Sequence, residues 1–238
     1  MSGRLSVFAS GGGTNLQALL DHFDGGPGSG RGEVVLVVSD REGAGALERA
    51  ERAGVASRVI PVAGRAEDEV ASETLATLEE AAIDVVALAG YLRLVPPAVV
   101  ERFRDRMINI HPALLPAFGG KGMYGRRIHE AVLETGCRVT GATVHLVDER
   151  YDTGRILAQW PVPVRPGDSA GTLAARVLRV EHRLYPVAAE AVLDAAARGE
   201  PPRALPVTTD EDGGSFFRLA GGEPPTVEEF RRVLGAGG

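Results

Sequence analysis

Apolar residues in this chain fall into short, nearly continuous runs separated by longer amphipathic stretches. The runs at 5–9, 33–39, 55–62 and 84–89 read as strands covered on both faces, the pattern of a parallel sheet between helices. Between them Leu16, Leu19, Leu20 and Phe23 keep helical spacing, as do the stretches 46–53 and 67–82, the last with Val70, Leu75 and Leu78 among its apolar positions. Strand and helix alternate, which predicts right-handed crossovers and a parallel sheet. Residues 97–103 form a short helix, 107–110 a fifth strand and 126–135 a helix. A long strand at 138–147, with Gly141 as a candidate bulge, pairs antiparallel with 155–164, so the sheet is mixed. Gly167-Asp168-Ser169 opens a long helix whose buried stripe is Leu173, Val177, Val180, Leu184 and Val187, and Pro186 kinks or divides it. The expectation is one α/β domain over residues 1–200. Residues 201–238 form an irregular tail packed on it, in which Thr226 and Glu229 make a capping box for a last helix at 227–234.

Bulk properties narrow the function. The 238 residues can bury a sizeable core, and 44% hydrophobic with 24% charged residues is ordinary for a soluble protein. The net charge of −6 supplies no field for nucleic acid or a membrane surface, so an anionic ligand has to be held by local groups. The single cysteine, Cys137, excludes an internal disulfide and a cysteine-based zinc site. The first residues, MSGRLSVFAS, have too short an apolar run for a signal peptide, and no run approaches membrane-spanning length, so a cytoplasmic protein is expected.

The richest stretch is MINIHPALLP, residues 107–116. Along a strand Asn109 and His111 point the same way and Ile110 the other, and Pro112 keeps His111 extended. An amide and a titratable imidazole then share one face at a strand end, a common place for chemistry in an open α/β sheet; the alternative is a strand ending in a satisfied His-Pro turn. SGGGTN, residues 10–15, joins the first strand to a helix. Its glycines allow close ligand approach and the helix amides can hold an anion. The dinucleotide fingerprint fails because Leu16 stands at its third glycine, and no P-loop Gly-Lys-Ser/Thr follows; a tight turn into a helix capped by Thr14 remains open. GYLRLVPP, 90–97, ends the fourth strand with an apolar wall and one cation, Arg93, which either serves a slot or faces water. The glycine-rich 117–125, His129, His145, and Glu181 with His182 on the long helix each have an ordinary structural reading beside the functional one. DERYDTG, 148–154, lacks calcium-loop spacing, so no metal is expected there.

Taken in order, SGGGTNLQALL, AGYLRL, NIHPALLPAF, TGATVHLVDERYDTGRILAQ and EHRLYP resemble the glycinamide ribonucleotide formyltransferases across roughly residues 4–190. The resemblance implies a Rossmann-like α/β fold with a mostly parallel mixed sheet and helices on both faces. It implies transfer of a formyl group from 10-formyltetrahydrofolate, as co-substrate and without a metal, to the amine of 5-phosphoribosylglycinamide in purine synthesis. Asn109, His111 and Asp152 fall on the family's catalytic positions. The amide and a protonated imidazole would stabilise an oxyanion, and Asp152 would orient His111, raise its pKa and relay protons. Gly13, Thr14 and Asn15 would hold the substrate phosphate and Glu181 the ribose. Leu92, Arg93, Leu94 and Val95 would line the folate slot, and His145 would support the centre. The expected partners are these two small molecules, with no nucleic acid or membrane, and the chain acting as a monomer or homodimer.

Three alternatives stand beside this. A 10-formyltetrahydrofolate hydrolase uses the same residues but carries a regulatory domain ahead of the core, and here the first strand begins at about Leu5. A transfer-RNA formyltransferase carries a β-rich domain after the core and basic patches, against a short tail and an acidic chain. A non-catalytic nucleotide-binding module would use Asn109 and His111 only structurally.

Overall fold

The computed structural model describes residues 2–205 and 226–229. Four parallel strands, β1 (Gly3–Phe8), β2 (Gly32–Ser39), β3 (Ala56–Val59) and β4 (Val85–Leu88), are joined by α1 (Thr14–Phe23), α2 (Gly45–Arg52) and α3 (Glu67–Glu80). Then follow α4 (Pro97–Arg102), β5 (Met107–His111), α5 (Arg126–Glu134), β6 (Val139–Leu146), β7 (Ile156–Pro163) and α6 (Ala170–Ala197). The seven strands lie in the order β3-β2-β1-β4-β5-β6-β7. Strands β1 to β5 run parallel, and β6 and β7 are antiparallel to their neighbours, so the expected mostly parallel mixed sheet is observed.

Side chains alternate across the sheet and divide the core in two. Leu5, Val7, Val37, Val85, Ala87 and Ile108 pack under α1, α2, α5 and α6. Phe8, Leu36, Val38, Val86, Leu88 and Met107 pack under α3 and α4. This partition follows from handedness. Right-handed crossovers stepping from β1 to β3 put α1 and α2 on one face, and those stepping from β3 back across β1 to β5 put α3 and α4 on the other. Fully burying one large apolar side chain in such a core contributes about 1.5–3 kcal/mol.

Two expectations change. Helix α6 runs unbroken from Ala170 to Ala197 through Pro186, so the proline does not divide it. Its neighbours Tyr185 and Val187 are fully buried, and their packing outweighs the lost helix hydrogen bond. Gly141 is not a bulge: it pairs in register with Pro161, and the irregularity lies between Val144 and His145. A Cβ at Gly141 would come within 2.1 Å of the Trp160 carbonyl oxygen, so glycine is there for close strand approach.

After α6 the chain turns along β7, with the Leu205 N–H donating to the Leu157 carbonyl and Arg155 to that of Pro202. The Thr226–Glu229 capping box is formed, the Glu229 N–H donating to the Thr226 hydroxyl and the Thr226 N–H to the Glu229 carboxylate. The rest of the expected tail, and the end of its last helix, lie outside the described residues. Among the described residues no helix is long and apolar enough to cross a membrane.

Tyr185 ties the fold to the site. Its buried hydroxyl lies 2.9 Å from the Leu88 carbonyl, at the carboxyl end of β4, and 3.2 Å from that of Ile108, the residue before Asn109 on β5. Tyr185→Phe is expected to cost about 1–3 kcal/mol, since it removes the donor from buried carbonyls while keeping the ring. Urea unfolding checks this, and a variant as stable as wild type would show that this donor carries no net stability.

Candidate active site

The carboxyl ends of β1, β4 and β5 open onto one cavity of about 950 Å³. Strand β5 delivers Asn109 and His111 to its floor, and the antiparallel partner β6 delivers His145, which pairs directly with Asn109. The turn after β6 brings in Asp152. Its backbone sits at φ 57°, in the left-handed region, within a turn closed by Asp148, which accepts from the Thr153 hydroxyl and the Arg150 N–H.

These four side chains form one network. The Asn109 amide nitrogen is 3.0 Å from His145 Nε2 and 3.5 Å from Asp152 Oδ1. His145 Nδ1 lies 2.7 Å from the Leu146 carbonyl, which can only accept; Nδ1 therefore carries the proton and Nε2 accepts from Asn109. Asp152 Oδ2 accepts from the Gly120 N–H at 2.8 Å and lies 3.6 Å from His111 Nδ1. The other ring nitrogen of His111, Nε2, donates to the Phe118 carbonyl at 2.9 Å. The glycine-rich segment 117–125 therefore touches the centre through its backbone.

Burial pushes the Asp152 carboxyl up, but contact with His145, the His111 ring and the Gly120 N–H outweigh it, and the group sits below the usual carboxylate range. His111 departs from expectation. Asp152 and the Phe118 carbonyl do favour its charged form, yet burial outweighs both and holds the imidazole below the ordinary histidine range. It is therefore neutral at rest, with its proton on Nε2.

At the other end of the cavity lie Asn15 and Glu181. The Asn15 amide donates to Glu181 Oε2 at 2.7 Å, and the Asn15 carbonyl oxygen is buried with no partner among the described residues. Burial pushes the Glu181 carboxyl up to about 7, with Asn15 opposing. Helix α1 begins at Thr14, so Thr14 is not its cap. The cap position is Gly13 at φ 72°, with no side-chain hydrogen bond to the helix amides. A Cβ there would meet the Ala46 Cα at 2.7 Å. Gly13 is buried against α2 and Thr14 faces a separate, smaller hollow with Gln17 and Asp21, so of this trio only Asn15 lines the main cavity by its side chain.

Leu92, Arg93, Leu94 and Val95 all line the cavity; Val95 is buried, and Leu92 and Leu94 remain 40% exposed at its mouth as an apolar wall. Arg93 neither faces water alone nor points freely inward, because its Nε lies 2.9 Å from the buried carboxylate of Asp40. Two further side chains belong to this region. Asp40 is not singled out by the sequence, although its position at a strand's carboxyl end is a usable signal, and His129 is left open by it. His129 is buried, lines the cavity, and is held below the ordinary range by burial and by His111. Among the described residues no cluster of His, Cys, Asp or Glu could hold a metal ion.

Two predictions follow from these environments. Asp152→Asn removes a charge that favours protonated His111, so the His111 pKa falls further below that of wild type, read by imidazole NMR titration; an unchanged value would show that the 3.6 Å contact is not felt. For Glu181 the folded pKa of about 7 exceeds the ordinary 4.5. Its stabilising contribution is then fully present below the unfolded value and is lost as pH rises through about 7. Glu181→Gln should flatten that part of the stability profile, and urea midpoints that fall equally in both proteins between about pH 5 and 7.5 would contradict it.

Residues 3–189 match the family described as formyl transferase. The chain is 48% identical over 184 residues to a chloroplastic phosphoribosylglycinamide formyltransferase from Arabidopsis thaliana, covering 76% of this chain and 62% of that protein's length. Among solved structures, glycinamide ribonucleotide transformylase 1 from Symbiobacterium toebii is 40% identical with a TM-score of 0.75, over 82% of this chain and 89% of that one. Phosphoribosylglycinamide formyltransferase from Brucella melitensis is 42% identical with a TM-score of 0.72, over 83% and 97%.

Proposed function

The chain belongs to the formyl transferase family, and from that premise we propose that it transfers the formyl group of 10-formyltetrahydrofolate to the amine of 5-phosphoribosylglycinamide. The reading is carried by one observation. A buried amide–imidazole–carboxylate centre on β5 and β6 and the amino end of α1, which has no side-chain cap, lie at the same end of the sheet with only β4 between β1 and β5, and an apolar wall from the end of β4 stands beside them. An anionic substrate, a reacting carbonyl and a flat heterocycle each find the chemistry they need there.

In the proposed reaction the ribonucleotide phosphate meets the first amides of α1, and Glu181 with Asn15 holds the ribose. The folate lies along Leu92 to Val95, placing its formyl carbon at Asn109 and His111. The neutral amine attacks that carbon and its carbonyl oxygen becomes an oxyanion. The Asn109 amide, oriented by His145, donates to the oxyanion. His111 rests neutral and takes up, at Nδ1, the proton that the attacking amine loses, and the ionised Asp152 beside Nδ1 compensates the imidazolium while the oxyanion lasts. As the intermediate collapses and the bond from the formyl carbon to the folate nitrogen breaks, the same proton passes from His111 through Asp152, directly or by water, to the departing folate nitrogen. No step needs a metal. The catalytic unit in this reading is residues 1–200.

The test is formyl transfer by the full chain, followed spectrophotometrically with and without the ribonucleotide. Deformylation that requires the ribonucleotide supports the transferase. Deformylation without it overturns the reading in favour of a hydrolase, and none from folded protein leaves a binding module. Asn109→Ala and His111→Ala are each expected to lower kcat by about 10²–10⁴ with the fold retained, and wild-type turnover would remove that residue from the mechanism.

A further inference from the structure

Asp40 has no part in the chemistry above, yet its side chain is fully buried at the carboxyl end of β2. Three donors converge on it. Arg41 contributes Nε at 3.2 Å and Nη2 at 2.9 Å, and Arg93 contributes Nε at 2.9 Å. The Ser10 hydroxyl, at the end of β1, faces the same carboxylate and helps keep it charged. The Ser10 oxygen accepts the Leu92 N–H at 3.0 Å, which leaves its own hydrogen free to turn toward Asp40. The Ser10 N–H in turn donates to the Gly90 carbonyl. Segment 90–95 is thus pinned at Gly90 and Leu92 through Ser10 and at Arg93 through its side chain, and the last two pins end on one carboxylate. Burial pushes the Asp40 carboxyl up, but these donors hold it at about 2, so the carboxylate is charged throughout the working range.

We propose that Asp40 is a positioning residue for the co-substrate, setting the backbone of the slot formed by Leu92 to Val95 through the Asp40–Ser10–Leu92 relay and the Asp40–Arg93 ion pair. This rests on the folate reading of that slot. The consequence is selective. Asn109, His111 and Asp152 are carried by β5 and the turn after β6, and Asn15 by α1, so none of them hangs on Asp40. Losing the carboxylate lets the Ser10 hydroxyl rotate, frees the Leu92 N–H to compete for ligand or water, and leaves two arginines without their partner at the slot.

The experiment is steady-state kinetics on the full chain with Asp40→Asn, Ser10→Ala and the double variant, varying each substrate in turn, with urea midpoints to confirm folding. Asp40→Asn is expected to raise the KM for 10-formyltetrahydrofolate about tenfold, with kcat and the KM for the ribonucleotide within about twofold of wild type. Ser10→Ala moves the same constant in the same direction and tests the relay even where the Asp40 variant fails to fold. If the two act as one relay, the double variant matches the larger single effect within about a factor of two instead of multiplying them. An unchanged folate KM in a folded variant, equal rises in both KM values, a loss confined to kcat, or multiplicative effects would each overturn the assignment while leaving the proposed reaction standing. A wild-type protein without ribonucleotide-dependent deformylation would instead remove the reaction itself, and this assignment with it.

Discussion

A carboxylate with only 11% of its side chain open to water must be given donors or surrender its charge, and Asp152 is in that position. Leaving such a charge unpaired would cost several kcal/mol, on the order of 3–5 for a buried pair stripped of one partner. Around Asp152 that demand is met by the Gly120 N–H from the glycine-rich segment and by the Asn109 amide 3.5 Å away, with the His111 ring from β5 and the His145 ring from β6 each 3.6 Å off. The need to satisfy one buried anion therefore ties an amide, a loop and two imidazoles to one place. It also explains the left-handed backbone at Asp152 itself, a strained conformation that the Asp148 turn sustains.

That centre could not exist at an arbitrary place on the sheet. From β1 the chain steps outward to β2 and β3, then returns across β1 to β4 and β5. The helices that follow β1 and β4 consequently leave on opposite faces, and the loops above these two neighbouring strands part. One loop is the glycine turn into α1, and the other is the segment from Gly90 to Val95. Asn109 and His111 arrive on the next strand, beneath the crevice. Antiparallel β6 then brings His145 opposite Asn109 without another crossover.

How much of this could be read beforehand depends on whether the determinant is local. Strand and helix periods are local, so the order of elements and the parallel sheet follow from the apolar pattern alone. The shared face of Asn109 and His111 follows from strand geometry. Asp152 needed the resemblance, because its partners lie 43 and 41 residues earlier and only the fold joins them. Long-range balances were less legible. The neighbour effect of Asp152 on His111 had the expected sign, but the depth of burial that outweighs it is a property of the assembled cavity. Asp40 was passed over for a related reason: an acid after a strand is usually solvated, and its partners Ser10 and Arg93 meet it only once β1, β2 and β4 lie side by side. At Pro186 local propensity allowed either a kink or a break, and the break is what buried packing on both sides overrides.

Two of the carboxyl groups lining the cavity show the same physics resolved in opposite ways. Asp152 accepts from the Gly120 N–H, lies beside the Asn109 amide and two imidazoles, and stays ionised, below its ordinary range. Glu181 is more deeply buried, has Asn15 as its one donor among the described residues, shares its wall with Ala174, Ala175 and Leu178, and is pushed up to about 7. Near neutral pH one end of the cavity is thus anionic while the other is poised between a neutral acid that can donate and a carboxylate that can accept. An anionic group seated at the amino end of α1 would favour the protonated form of Glu181, because a second negative charge nearby penalises ionisation. The proposed phosphate and ribose contacts are therefore not independent: a protonated Glu181 can donate to a sugar oxygen, and the same proton spares the phosphate a like charge. In the proposed reaction the ionised Asp152 at the other end is what lets His111 take up a proton. In that reading one cavity separates holding an anion from stabilising the transient positive charge of an imidazolium, through burial and hydrogen-bond donors.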